Sequence, residues 1–134
     1  MNNYQKYKND AIYSMSPVEL LILLYDECNK NFRKAKIALQ EDDYTLFEST
    51  LGRNQKIIMY LIKTLDMEYP ISRDLRRLYD YILFDIGRLL AGRKRLIDEL
   101  DALQEVIQNL RDGFDGASKQ VTDTHTIAEN RVLG

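Results

Sequence analysis

The stretch that decides the fold is residues 16–26, which read SPVELLILLYD. Ser16 suits the N-cap of a helix because its hydroxyl can accept from a free backbone N–H, and Pro17 suits the first helical position because its missing N–H has no partner to lose there. Glu19 can bond back to the Ser16 backbone and complete a capping box. A run of apolar residues follows at once, so we predict a helix that begins sharply at Pro17.

Apolar and small residues continue along this helix in alternating steps of three and four. They are Leu21, Leu24, Cys28, Phe32, Ala35 and Leu39. This spacing places them on one helix face, which must pack against partner helices. We expect the helix to end near Gln40, before the acidic turn at 41–43.

Three further segments show the same spacing and predict helices over residues 44–65, 71–91 and 95–114. In the segment 71–91, the apolar positions are Leu75, Leu78, Ile82, Ile86 and Leu89. Pro70 separates the second helix from the third, and Gly92 separates the third from the fourth. No segment alternates as a β-strand does. Short loops between helices of similar length predict an all-α fold, an antiparallel up-down-up-down four-helix bundle over residues 16–117.

The two ends of the chain lack this pattern. Residues 1–15 are polar with interspersed tyrosines, and we expect an N-terminal arm there. Residues 118–134 are polar and aperiodic, which is typical of a frayed, flexible tail. The start of the chain lacks the apolar core of a secretory signal, and no apolar run approaches the roughly 20 residues of a membrane span. We therefore expect a cytoplasmic protein without a membrane association.

Charge and residue types argue against several functional classes. The formal charge of −2 gives no general attraction to nucleic acid. The basic clusters at 73–77 and 93–95 should lie at opposite ends of the third helix and not in one patch. Cys28 falls on the apolar face, and the only histidine, His125, lies in the predicted tail. With no Glu-x-x-His pair and no glycine-rich phosphate loop, we predict no enzymatic activity, no metal and no other cofactor.

Several short motifs, taken in order, resemble the flagellar secretion chaperone family. They are the tyrosine-rich arm, the Ser16–Pro17 helix start with LYD at 24–26, LDME at 65–68, LYDY at 78–81, and EV at 105–106 followed by LRDGF at 110–114. Each motif is weak alone, but the ordered set covers residues 4–117 and is fairly specific. The chain departs from the family pattern at Met15, Glu27 and Phe114, where a small residue, glycine and tryptophan are usual.

The resemblance implies a cytosolic chaperone that binds the disordered C-terminal segment of flagellin, prevents its premature polymerisation and aids its secretion. Tyr4 and Tyr7 match arm positions associated with client binding, and Tyr25 and Asp26 match the signature of the first helix. We expect Ile12 to pack loosely on the bundle beside the arm tyrosines.

Two further pairs of residues, in the second and third helices, are candidates for client binding. Asn54 and Gln55 interrupt the apolar spacing, so they either contact a bound peptide or form a polar layer that fixes helix register. Tyr79 and Tyr81 should face different sides, so at most one serves the core and the other is a candidate contact for a partner.

Other partners stay open at this stage. The export apparatus and other flagellar regulatory proteins are candidates beside flagellin, and so is a second copy of the chain in a homodimer. The alternative function is a generic helical adaptor that binds a different flagellar or regulatory protein. A nucleic-acid-binding bundle is the weakest alternative, and its affinity would fall steeply with salt.

Overall fold

Four long helices make up the protein in a computed structural model, which describes residues 6, 9–12 and 14–116. They are α1 (Pro17–Gln40), α2 (Tyr44–Lys63), α3 (Pro70–Gly92) and α4 (Asp98–Gly116), with a 3₁₀ turn at Arg93–Leu96 before α4. The part of the chain that is described contains no strand. The prediction of an all-α helical bundle is confirmed.

The start of α1 has the predicted capping box. The Glu19 backbone N–H donates to Ser16 Oγ at 3.2 Å, and the Ser16 N–H donates to Glu19 Oε1 at 2.9 Å. The hydrogen bond from the Ser16 backbone N–H, and after it the Ser16 hydroxyl, hold the pKa of the Glu19 carboxyl below its usual value. Residues 9–12, before this cap, are helical as well. The sequence therefore placed the beginning of α1 correctly.

Three side-chain pairs show that α1 and α4 run antiparallel. They are Asp26 with Arg111, Asn29 with Gln108, and Lys36 with Asp101. From one pair to the next, the residue number rises along α1 and falls along α4. The first turns of α2 lie beside the turn that follows α3, because Arg93 pairs with Glu48 and its guanidinium carbon lies 4.2 Å from the centre of the Tyr44 ring. Helix α1 packs extensively on α2 and α4, whereas α3 and α4 make only slight contact.

The core matches the predicted apolar faces except at four leucines, which are half-buried and pack against the core: Leu24, Leu78, Leu96 and Leu110. Leu24 and Leu78 were expected to face the core, but each is only half-buried. The tyrosine that follows each of them, Tyr25 or Tyr79, is completely buried instead. At these two positions the prediction was wrong by one residue, because spacing alone favours leucine over a tyrosine, whose hydroxyl needs a partner when buried.

The helix boundaries differ from the predicted ones mainly around the third loop. Helix α2 ends at Lys63, two residues early, and α4 begins at Asp98 and not at Arg95. Residues Arg93–Leu96 form a 3₁₀ turn, and the left-handed residue of this turn is Arg93 (φ 52°). Gly92 lies close to the Leu96 side chain, which would have to move to admit a Cβ, since a Cβ at Gly92 would lie 2.6 Å from Leu96 Cδ1.

Candidate functional site

Two of the predicted site residues meet in the middle of the bundle. Tyr25 of α1 and Tyr79 of α3 are completely buried, and their hydroxyl oxygens lie 2.6 Å apart. The ring of Phe114 from α4 stacks on Tyr25 with 5.9 Å between the ring centroids. Burial raises the pKa of both phenols well above the usual value, so both are neutral. The pair ties α1 to α3 across the core because each hydroxyl satisfies the other.

Asn54 lies in a buried polar layer between α1 and α2. Its Nδ2 donates to the Cys28 carbonyl at 2.9 Å, and its Oδ1 accepts from Asn31 Nδ2 at 2.9 Å. Asn54 is completely buried, whereas its neighbour Gln55 is half-buried. This geometry favours the polar-layer interpretation of Asn54. The two hydrogen bonds of its side-chain amide can form in only one register of α1 against α2.

Cys28, next to this layer, is a core residue. Its thiol is buried, and burial raises its pKa to about 12. A thiol in this state is not a nucleophile near neutral pH. The sequence prediction that Cys28 packs in the core is confirmed.

The α1–α4 flank carries a row of polar contacts that includes Asp26. Arg111 Nε donates to Asp26 Oδ1 at 2.8 Å, and this bond raises the pKa of the Arg111 guanidinium. One turn further along, Asn29 Nδ2 donates to Gln108 Oε1 at 3.3 Å, while Asn29 Oδ1 is buried without a hydrogen-bond partner. Asp26 is half exposed and therefore accessible from outside the bundle. Sequence reasoning missed Asn29 because an asparagine beside an apolar face gives no signal of its burial.

The outer face of α3 presents two aromatic side chains to solvent. Tyr81 is 47% exposed and Phe84, one turn later, is 66% exposed, the largest value among the exposed apolar side chains of the described residues. The expectation that Tyr79 and Tyr81 face different sides is confirmed. Phe84 was missed, although its position off the apolar face of α3 could have identified it.

The predicted client-binding residues do not form one surface. Asp26 and Tyr81 are exposed, Gln55 and Ile12 are partly buried, and three others, Tyr25, Asn54 and Tyr79, are completely buried. Tyr4 and Tyr7 lie outside the described residues, as do His125 and the predicted tail. The client-binding role of every one of these residues stays a prediction.

Two observations concern other classes of site. Within the described residues, no group of three or more histidine, cysteine, aspartate or glutamate side chains is placed to hold a metal ion. No helix of that same part of the chain is both long enough and apolar enough to cross a membrane.

Comparison with known proteins decides the family. The family model described as "Flagellar protein FliS" matches residues 1–121. The chain belongs to the FliS family. Its FliS relatives include the flagellar secretion chaperone FliS of Bacillus subtilis (strain 168), with 30% identity over 119 residues, covering 82% of this chain and 90% of that one. The FliS of Salmonella typhimurium (strain LT2) is 31% identical over 124 residues, covering 90% of this chain and 87% of its own length.

A solved structure supports the same assignment. A crystal structure of a bacterial flagellar chaperone superimposes with a TM-score of 0.72 and 26% sequence identity, covering 90% of this FliS chain and 98% of the other. The sequence-based resemblance to flagellar secretion chaperones is thereby confirmed, and the relatives are chaperones and not enzymes.

Proposed function

We propose that this FliS family member binds the disordered C-terminal segment of flagellin in the cytoplasm, prevents its premature polymerisation and hands it to the export apparatus. Membership of a family of flagellar secretion chaperones is the observation that carries the proposal. A secretion chaperone in the flagellar system implies a flagellar protein as its partner. Flagellin is the partner that the motifs of the chain favour.

The bundle leaves apolar surface available for such a partner. Large apolar side chains are exposed on all three of the first helices, among them Ile37 on α1, Met59 on α2 and Phe84 on α3. The core itself is filled by side chains from α1 to α4. A disordered segment with apolar residues at helical spacing can fold onto these surfaces and cover them without opening the core.

The exposed and the buried residues that were predicted to bind the client have different roles in this proposal. Asp26 and Tyr81 are exposed and can contact a client directly. Tyr25, Asn54 and Tyr79 are completely buried, so they act by holding the helices that present the client surface. In the arm, Tyr4, Tyr7 and Ile12 are proposed as further client contacts.

Calorimetric titration with a C-terminal flagellin peptide tests the proposal. Folding of the peptide on apolar surface predicts a large negative heat-capacity change and a gain of helical circular dichroism. A peptide of the same composition in scrambled order is the matched control and should give neither signal. Equal binding of both peptides, or of neither, contradicts the proposal. If neither binds and another flagellar or regulatory protein co-purifies with the chain, the adaptor function replaces it.

A further inference from the structure

The solvent-facing side of α3 carries a stripe of arginine and aromatic side chains. Its members follow one another in steps of three or four residues, which return to the same helix face, and they extend over about 22 Å of helix. All of them are exposed. They form what we call the α3 stripe: Arg73, Arg77, Tyr81, Phe84 and Arg88. The stripe therefore has an apolar centre with positive charge at both ends.

Tyr81 and Phe84 make up the apolar centre of the stripe. Their exposed fractions are 47% and 66%. Side chains three residues apart are neighbours on a helix surface, so the two rings form one apolar surface. A second helix with apolar residues at the same spacing can cover both rings at once.

The arginines of the stripe keep their charge in solvent, although two of them pair with aspartates of α3. Arg77 Nη1 lies 3.7 Å from Asp74 Oδ1, and the Arg77 side chain is 78% exposed. Arg88 Nη1 donates to Asp85 Oδ1 at 2.8 Å, and Asp85 is completely buried whereas the Arg88 side chain is 44% exposed. The buried carboxylate therefore anchors an exposed guanidinium. Because a guanidinium has five N–H donors, both arginines retain donors for an acceptor on a partner.

Charge and spacing together indicate the chemistry of the partner. Apolar residues three or four positions apart would cover the two rings, and carboxylates one turn before and after them would meet the arginines, which bind carboxylates with two parallel hydrogen bonds. We propose that the α3 stripe docks an acidic amphipathic helix of a protein partner. This inference goes beyond the proposed function, because it specifies the chemistry of the bound segment and does not require that flagellin supply it.

A second copy of the chain fits the stripe poorly because of the same charges. If two stripes cross in antiparallel directions with their aromatic centres together, Arg77 of one copy faces Arg88 of the other. In a parallel arrangement each arginine faces its own counterpart. Like charges that face each other across an interface disfavour it. The stripe therefore favours a partner of opposite charge over a homodimer.

Nucleic acid is another ligand that binds arginines and aromatic rings. The chain as a whole has a formal charge of −2, and α3 contains four arginines and three aspartates. A long polyanion experiences the charge of the whole surface, whereas a short acidic helix experiences mainly that of the stripe. The overall charge therefore favours the helix.

Fluorescence anisotropy with two labelled synthetic helices tests the inference on the full chain. One peptide has leucines at the spacing of Tyr81 and Phe84 and glutamates at the spacing of the flanking arginines. The other peptide has lysine in place of every glutamate. The glutamate peptide should bind with a Kd that rises with salt concentration, and the lysine peptide should not bind. Equal affinity for the two peptides overturns the inference.

Substitutions on and off the stripe show where the glutamate peptide binds. Arg77→Glu and Phe84→Ala should each raise its Kd about tenfold or more. Arg33→Glu, at an exposed arginine of α1, and Met59→Ala, at an exposed apolar residue of α2, are the matched controls and should change the Kd less than about twofold. Equal effects of the stripe variants and the controls overturn the inference.

Amide NMR of the unaltered chain gives a measurement that does not depend on how the variants fold. The glutamate peptide should shift the amide signals of residues 73–88 more than those of α1. Shifts centred on another helix overturn the inference. So does a dimer of the free chain that Phe84→Ala dissociates in sedimentation, because a second copy then covers the stripe. An oligonucleotide that binds more tightly than the glutamate peptide and is released by Arg77→Glu overturns it as well.

Titration with a C-terminal flagellin peptide separates this inference from the proposed function. A flagellin peptide that does not bind the wild type contradicts the proposed function and leaves binding of the glutamate peptide as support for the stripe. A flagellin peptide that binds while the glutamate peptide does not overturns the inference and leaves the proposed function in place.

Discussion

Replacing Asn54 by alanine tests whether the polar layer between α1 and α2 holds the bundle together. The wild-type amide makes two buried hydrogen bonds of 2.9 Å, one with Asn31 and one with the Cys28 carbonyl. The substitution removes both and leaves the Asn31 amide buried without that acceptor. It also leaves a cavity where the side chain was.

The expected loss of stability follows from these two hydrogen bonds. A buried polar group that loses its partner costs about 1–3 kcal/mol. The Cys28 carbonyl lies within α1 and retains its helical hydrogen bond, so the loss at Asn31 dominates and the cavity adds to it. We expect a decrease of about 2–4 kcal/mol in the free energy of unfolding. For a domain of this size that corresponds to a fall of roughly 10 °C in the melting temperature.

Urea and thermal unfolding followed by circular dichroism measure this loss, with Gln55→Ala as the matched control. Gln55 is adjacent but half-buried, and its substitution should change stability by no more than about 0.5 kcal/mol. The double variant Asn31→Ala, Asn54→Ala should lose less than the sum of the two single losses, because no orphaned amide is left. Equal losses for Asn54→Ala and Gln55→Ala would refute the polar layer. Reduced affinity for a flagellin peptide at unchanged stability would instead identify Asn54 as a client contact.

Three further predictions concern the first cap, the third loop and the outer face of α3. Ser16→Ala removes the capping bond to Glu19 and should lower the free energy of unfolding by roughly 1 kcal/mol, and an unchanged melting curve would contradict the role of the cap. Gly92→Ala places a methyl group 2.6 Å from Leu96 Cδ1, so its melting temperature should fall, whereas Gly52→Ala, in open space within α2, should not lower it. Tyr81→Ala should leave the melting temperature within a few degrees of the wild type and weaken binding of a flagellin peptide in calorimetric titration. A large loss of stability for Tyr81→Ala would show that the side chain belongs to the core.

Much of the candidate site escaped prediction because it depends on contacts between distant parts of the chain. The sequence pattern identified Tyr25, Asn54 and Tyr79 as unusual. It could not show that the two tyrosines form a hydrogen bond with each other, or that Asn54 forms hydrogen bonds with α1. Asp85 of α3, which is completely buried and accepts a hydrogen bond from Arg88 at 2.8 Å, was missed altogether, since charge on a helix predicts exposure unless a partner is known. Phe84 could have been found, because an aromatic residue on a polar helix face is visible in the sequence itself.

The sequence by itself determined the number of helices, the start of α1 and most of the core face, because capping and 3.6-residue periodicity act over neighbouring residues. It also carried the family signature. Only the tertiary structure decided which residue of each Leu-Tyr pair enters the core, where the 3₁₀ turn lies, and which polar groups meet inside. Those outcomes depend on whether a buried hydroxyl or amide finds a partner on another helix, and that partner is more than twenty residues away along the chain.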